Sequence, residues 1–594
     1  MPKLSNKIVK MFNEAVSLSQ ANNFNAAKAI YEKLSKQLPA NLDVINNLAL
    51  INANTQDFTT AKKLLEKSLL IKKEQPQVIE NLINILLDLK DYPYAIKLCD
   101  ESIKLAPNNS ITLFNKARAL SGLERNTEAL ETYKLALKND PTYYLAYQNL
   151  GYILNKLNKY EDAIKYYNQA IELNPKNVIA FYNKGVSQGN LLMFDEAIES
   201  YKIALEIDIS FLPASLNMGK ALEKLGKYKH ALNIYDKAQI INPTNTEIYL
   251  NRGELHANQN KYNEAIFDFK KIKEINSNKN NGIYNIALLN LKFRKFENAW
   301  DMYDLRWQIK QRHIITNKPA LKNLKSEYRR LFIWAEQGIG DQIYPLTILH
   351  NLISFFEAIT ISVDPRMVLI LKRSFKQYTN IKIISSNDNL EEDHYDAQIP
   401  ICSLGRLFIK NQMDIDTHAK PFLKSDAKKT ALLKKNLEVK DKILCGLSWK
   451  SSNSDTGFNR SIQLEKLISI FKLNKFEFIN LQYGDCDKEI KSLAKKYKVN
   501  ITNVSSIDNF KDLNEYTSLV DACDLIISIS NSCIHFAGAL NKKSYLLLPY
   551  AIGTHWYWGT NQIKSEWYPS VSILRQDNPN DWKTVISKLE KEIS

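Results

Sequence analysis

The sequence predicts an all-α solenoid of helical hairpins followed by an open α/β region, and three observations carry that prediction. Nine asparagines recur 34 residues apart: Asn13, Asn47, Asn81, Asn115, Asn149, Asn183, Asn217, Asn251 and Asn285. Alanine holds a second column of the same period, from Ala27 and Ala61 through Ala95, Ala129, Ala163, Ala197, Ala231 and Ala265 to Ala299. Past Leu331 the helical period stops, and short apolar runs alternate with helical segments.

Composition bounds the reading. A chain of 594 residues is too long for one core, so two or three domains are expected. Hydrophobic content of 45% and charged content of 24% are those of a globular protein. The net charge of +16 is compatible with an anionic partner or with solvated lysine-rich faces. No zinc-finger, RNP or basic-zipper pattern accompanies it, and nucleic acid is not an expected partner. The six cysteines form no CxxC pair and no metal spacing, so they read as buried thiols in a reducing compartment. The first residues, MPKLSNKIVKMFNEAV, already form an amphipathic helix pattern without a signal-peptide core. No stretch approaches the roughly 18–20 apolar residues of a membrane span. The expectation is a cytoplasmic protein.

Each element of the repeat has a physical role. Small residues stand where two helices must cross closely, at Gly151, Gly185, Gly219 and Gly253, with Ala49, Ala117 and Ala287 in the same column. Aromatics fill another column at Tyr31, Tyr133, Tyr167, Tyr201, Tyr235, Phe269 and Tyr303. Pro39, Pro107, Pro141, Pro175 and Pro243 close the second helix of their units, because proline lacks the N–H that helix propagation needs. This pattern resembles the tetratricopeptide repeat over about nine units. Such units bury their faces only against neighbours and stack into a superhelix with a concave groove. A carboxamide donates and accepts, so Asn81, Asn115, Asn149, Asn183, Asn217, Asn251 and Asn285 can pair with the peptide units of an extended polypeptide. They can equally tie adjacent helices together. The ninth unit replaces polar positions with Trp300, Tyr303 and Trp307, which reads as docking onto the α/β region. The solenoid is assigned to residues 1–307 and a basic connector to 308–329.

Strand candidates fall into two sets, RLFIWAEQ, AITISVDP, IKIISSN and YDAQIPI in 330–401, and KILCGLSWK, FEFINLQYG, LIISIS and KSYLLLPY in 442–550. Two Rossmann-like domains facing a cleft are expected, at 330–425 and 426–594, with ligands at strand exits. The first exit loop carries Glu336, Gly338, Gly340 and Asp341; its glycines permit a sharp turn, and the aspartate suits either chemistry or an N-cap. The second carries Trp449, Lys450 and Arg460, two cations able to neutralise a diphosphate or simply to face solvent. The third places Ser530, Asn531 and Ser532 before a helix bearing His535, an anion site or plain capping. Asp485–Cys486–Asp487 spells D-x-D, which reads as coincidence in the loop after a strand.

In order, E-Q-G-x-G-D, G-L-S-W-K, N-R-S-I, L-Q-x-G, H-x-A-G-A-L, L-L-L-P, W-Y-W-G, W-Y-P and R-Q resemble bacterial tetratricopeptide glycosyltransferases. The C-terminal half of those proteins is similar to glycosyltransferase family 9, the ADP-heptose heptosyltransferases. The resemblance covers 330–592 and implies a GT-B fold, inverting transfer, no metal and no cofactor beyond a nucleotide-sugar co-substrate. It implies Asp341 as general base. Lys450, Arg460 and the N–H groups around Asn531–Cys533 would steady the leaving phosphate, while Gln482, Ser530, Ser532 and His535 line the donor cleft. The family's ribose-binding aspartate is Ser530 here, and its threonine is Asn531. Eukaryotic protein O-linked N-acetylglucosamine transferases also join such a solenoid to a glycosyltransferase, which implies a polypeptide acceptor held by the groove. Two alternatives remain: transfer to a lipopolysaccharide or capsule intermediate, with the repeats recruiting a partner protein, and a non-catalytic adaptor with a degenerate transferase half.

Overall fold

The computed structural model describes residues 6–297, 299–309, 316–324, 327–388, 390–453, 457–550 and 553–594. Much of the expected connector (310–315 and 325–326) and part of the SSNSDTG loop (454–456) lie outside them. The chain forms two compact units, Met1–Leu222 and Glu223–Ser594.

The first unit is built from helical hairpins, beginning with Asn6–Gln20 against Phe24–Gln37 and ending with Val178–Asn190 against Phe194–Ile207, followed by Leu212–Lys224. The alanines of its column, Ala27 to Ala197, are wholly buried. The small and aromatic columns interlock. A Cβ at Gly151 would lie 2.7 Å from the Tyr167 ring, and one at Gly185 would lie 2.6 Å from Tyr201. Each hairpin turns through a left-handed residue such as Asn22, Gln56, Lys90 or Asn158 (φ 58–63°). The second helices end at Gln37, Leu105, Asn139 and Leu173, two residues before their prolines.

The second unit holds the remaining repeats and the α/β region. Its hairpins include Thr246–Asn258 with Tyr262–Ile275, and Asn281–Lys292 with the short Ala299–Tyr303. The repeat pattern thus runs past the boundary between compact units, because the ninth unit shares a core with the sheets. Phe296, Trp300 and Tyr303 are buried in one cluster with Leu331, Ile333, Tyr344 and Trp556. Trp300 donates from Nε1 to the Ile409 carbonyl (2.8 Å), and Trp307 packs 4.7 Å from Trp334. The exchange of polar residues for aromatics in this unit is docking.

Two parallel sheets complete the unit. β1 (Arg330–Trp334), β2 (Ala358–Val363), β3 (Ile381–Ser385) and β4 (Ala397–Pro400) lie in the order β3-β2-β1-β4. β5 (Ile443–Ser448), β6 (Phe476–Asn480), β7 (Leu525–Ile529), β8 (Ser544–Leu548) and β9 (Val571–Arg575) lie in the order β6-β5-β7-β8-β9. β9 is a strand that the apolar runs did not reveal, since VSILR is short and interrupted by a serine. In each sheet the winding reverses once, between β1 and β4 and between β5 and β7. Such reversals open a crevice at the carboxyl ends of the strands, where ligands of open α/β sheets bind.

Candidate active site

The loop leaving β1 is fixed before it reaches Asp341. Glu336 is buried and accepts from Arg306 of the ninth unit at both oxygens (2.9 and 2.5 Å), and also from the Cys402 N–H (3.3 Å). Glu336 therefore anchors the loop and does not face the cleft. The sharp turn belongs to Gln337 (φ 61°), while Gly338 is extended at φ −82°. Gly340 is required for close approach: a Cβ there would lie 2.6 Å from His535 Cδ2. Asp341 follows in the short helix Ile339–Ile343, half-buried, and accepts from the Gly338 N–H at 3.3 Å.

The β5 exit departs from expectation at two residues. Lys450 is exposed and its ammonium pairs with Glu489, so it does not line the cavity beside Asp341. Gln482 is a buried clamp. Its Oε1 accepts from Ser448 Oγ (3.1 Å), Trp449 N (2.9 Å) and Lys450 N (2.8 Å), and its Nε2 donates to the Lys450 and Tyr483 carbonyls. Its polar atoms are used in shaping the loop. Arg460 is buried and donates to the Ser530 carbonyl (3.4 Å). Burial lowers its pKa, opposed by the nearby Tyr557 and Asp341.

The β7 exit brings the third group. Asn531 caps the helix Ser532–Ala539 by accepting from the Cys533 N–H (3.1 Å), and its Nδ2 crosses to Ser448 Oγ (2.7 Å). The Cys533 N–H is thereby occupied by a side chain rather than open to a ligand. The Ser530 hydroxyl accepts from Trp558 Nε1 (3.0 Å). His535 is buried between Tyr568 Oη (2.9 Å to Nδ1) and Tyr557 Oη (3.4 Å to Nε2). Burial pushes its pKa down to about 3, so it is neutral at ordinary pH. Asp485 and Asp487 serve local turns: Asp485 accepts from the Asp487 N–H (3.2 Å), and Asp487 from Asn503 (3.3 Å).

These exits meet at one cavity of about 440 Å³, lined by Gly338, Gly340, Asp341, Arg460, Ser530, Asn531, Ser532 and His535. Sequence reasoning missed Arg366, Tyr483, Asn509, His555 and Tyr557 in the same wall. Arg366 stands at the β2 exit, paired with Asp364 (2.9 Å) and 4.8 Å from the Phe510 ring, so the strand-exit rule could have found it. His555 and Tyr557 belong to the tryptophan-rich loop. Arg294 of the repeats holds that loop through the carbonyls of Trp556 (3.0 Å) and Tyr557 (3.4 Å) and pairs with buried Glu566. A second cavity, about 320 Å³, shares Asp341, His555 and Tyr557 with the first. Its other wall comes from the repeats, with Glu254, Asn258, Tyr284, Asn285 and Lys292.

The asparagine column is largely used within the fold. Asn217 donates to Tyr182 Oη of the preceding hairpin (3.2 Å), while Asn47 and Asn149 stand beside Tyr31 and Tyr133. Asn115 and Asn251 are buried, Asn81 accepts from Gln77 (3.4 Å), and Asn183 is half-buried. Asn285 donates to Glu254 (3.3 Å) and faces the second cavity.

Fold and site define a class: a tetratricopeptide solenoid of about seventeen helices continued by a region of parallel sheets. Tetratricopeptide models match residues 112–143, 144–177, 212–245 and 246–279, and a coatomer epsilon subunit model matches 8–97. The chain is 25% identical over 279 residues to the protein FlbA of Caulobacter vibrioides, an alignment spanning 44% of this chain and 46% of FlbA, less than half of that relative. Among solved structures, a tetratricopeptide repeat protein from Parabacteroides merdae is 18% identical with a TM-score of 0.34, covering 42% of this chain and 98% of that one. MamA from Desulfovibrio magneticus is 17% identical with a TM-score of 0.28, covering 29% and 98%. Among the described residues no helix is long and apolar enough to cross a membrane.

Proposed function

We propose that the protein is a glycosyltransferase of GT-B type that moves a sugar from a nucleotide-sugar to a hydroxyl on a polypeptide engaged by its repeats. The observation that carries this reading is the convergence of Asp341, Arg460, Arg366 and the start of the helix Ser532–Ala539 on one cavity at the winding reversals of both sheets. Arg460 and Arg366, with the positive end of that helix, suit a diphosphate. The acceptor oxygen forms a bond to the anomeric carbon while the carbon–oxygen bond to the diphosphate breaks. The Asp341 carboxylate takes the hydroxyl proton, and a nucleoside diphosphate leaves. His535, neutral and held by two tyrosines, packs the base's loop without titrating. Lys450 has no part in this step, and Arg366 is the second cation.

The test is a panel of radiolabelled UDP-, GDP-, CMP- and ADP-sugars incubated with the protein and a proteome lacking its gene. Transfer by the native chain and none by Asp341→Asn, with unchanged nucleotide binding, supports the reading. Equal transfer by both removes Asp341 as the base. A second reading, a protein-binding adaptor without catalysis, is favoured by Ser530, whose hydroxyl is committed to Trp558 where the resembling family has an aspartate. Absence of binding to every nucleotide in the panel would select it.

A further inference from the structure

The cavity on the repeat side of Asp341 has features that the donor cavity lacks. Its floor is the carboxylate proposed as base, and its far wall is two solenoid helices, Thr246–Asn258 and Asn281–Lys292. Lys292 is buried (9% exposed) and lines it, donating from Nζ to the Ala257 carbonyl (3.0 Å). Among the described residues no carboxylate lies within ion-pair distance of that ammonium. Burial, with Arg575 adding to it, lowers its pKa to about 8. A buried cation without a counter-ion is costly, and a cavity is where a ligand can repay that cost. The carboxamides of Asn258 and Asn285 stand beside it, with Tyr284, Tyr303 and Trp556 as apolar walls. At about 320 Å³ the space matches the lower end of ligand pockets, roughly 300–1,000 Å³.

We propose that this cavity is the acceptor site, in which a hydroxyl-bearing residue of a polypeptide reaches Asp341 from the repeat side. Lys292, Asn258 and Asn285 read its flanking peptide groups. The inference rests on the glycosyltransferase reading for its chemistry, but it assigns the acceptor to the eighth and ninth repeats rather than to the length of the asparagine column. Asn81 and Asn217 already bond neighbouring side chains and Asn115 and Asn251 are buried, whereas Lys292 keeps N–H donors that a peptide oxygen can take. Its ammonium would bond an acceptor carbonyl more strongly than a neutral donor. Donor and acceptor then occupy two cavities that share Asp341, so the hydroxyl can give up its proton there as it attacks the anomeric carbon.

The experiment uses the full chain with a library of serine- and threonine-centred peptides and, in parallel, a set of oligosaccharides. Lys292→Met keeps the side-chain length and removes a buried charge, so the fold is retained. Lys292→Met with Asn258→Ala is expected to raise the peptide KM tenfold or more, the loss of one charge-assisted bond, with kcat and donor hydrolysis within twofold. Lys292→Arg should keep part of the affinity. A photo-crosslinking amino acid in place of Leu288, which lines the cavity, should capture library peptides. An unchanged KM in the Lys292 variants, with a raised KM in Asn81→Ala/Asn115→Ala/Asn149→Ala/Asn183→Ala, would overturn the proposal. Capture of oligosaccharides and no peptide would also overturn it. Should no nucleotide-sugar be turned over, the transferase reading fails alone, and peptide capture at Leu288 still decides whether this cavity is a peptide site.

Discussion

Removing Arg306 should unseat the β1 exit loop. The guanidinium is 3% exposed and Glu336 is 2% exposed by side chain, and both carboxylate oxygens accept from it at 2.5–2.9 Å. Arg306 also donates to Ser403 Oγ (2.8 Å) and Asp304 (2.8 Å) and lies 4.2 Å from the Tyr303 ring. Arg306→Met leaves a carboxylate buried with only the Cys402 N–H and no cation. Breaking such a pair from one side costs about 3–5 kcal/mol, because the surviving charge keeps its desolvation penalty. Arg306→Met with Glu336→Leu leaves no unpaired buried charge, since Asp304 keeps Arg406 (2.6 Å), and should recover most of that loss. The assay is guanidinium unfolding followed by tryptophan fluorescence, reading the transition of the α/β region, since a chain of two compact units need not unfold in one step. A shift below about 1 kcal/mol in the single variant would refute the reasoning, as would a double variant no more stable than the single.

Gly340→Ala places a methyl 2.6 Å from a histidine ring that two tyrosines hold, so it should cost about 1–3 kcal/mol by overpacking and lower activity, measured by thermal unfolding and sugar transfer. Asn217→Ala removes the amide bonded to Tyr182 (3.2 Å), and chemical denaturation should show a loss of about 1 kcal/mol. His535 titrates near 3 when folded and near its ordinary value when unfolded, so the unfolded state binds more protons between those limits. Stability should therefore rise with pH across that window, by at most about 1.4 kcal/mol per unit from this group. His535→Gln should remove that part of the slope, and NMR of the native imidazole should find it neutral at pH 5.

The repeats were legible because one physical demand recurs in most hairpins. A small residue on the first helix must receive an aromatic ring from the second, as Gly151 receives Tyr167 and Gly185 receives Tyr201. Strand exits were legible because parallel strands read as apolar runs and ligands collect at their ends. Long-range pairing was not legible. Lys450 looks like a cleft cation until Glu489, on a helix after the next strand, takes it. Gln482 looks like a ligand contact until the β5 exit arrives to use its oxygen three times. Gly338 and Gly340 look alike in sequence, and only Gly340 faces a ring in the opposing helix. The asparagine column carried two meanings, and only the fold shows Asn217 reaching back to Tyr182 of the previous hairpin and Asn115 and Asn251 buried.

The central claim is that Asp341 acts on a hydroxyl beside a bound nucleotide-sugar. Single-turnover sugar transfer by the native chain and by Asp341→Asn, each saturated with the donor that the nucleotide panel selects, tests it most directly. The account expects donor affinity to be equal and transfer to fall by at least about 100-fold in the variant, the usual contribution of a general base. Transfer at the native rate by Asp341→Asn would contradict it.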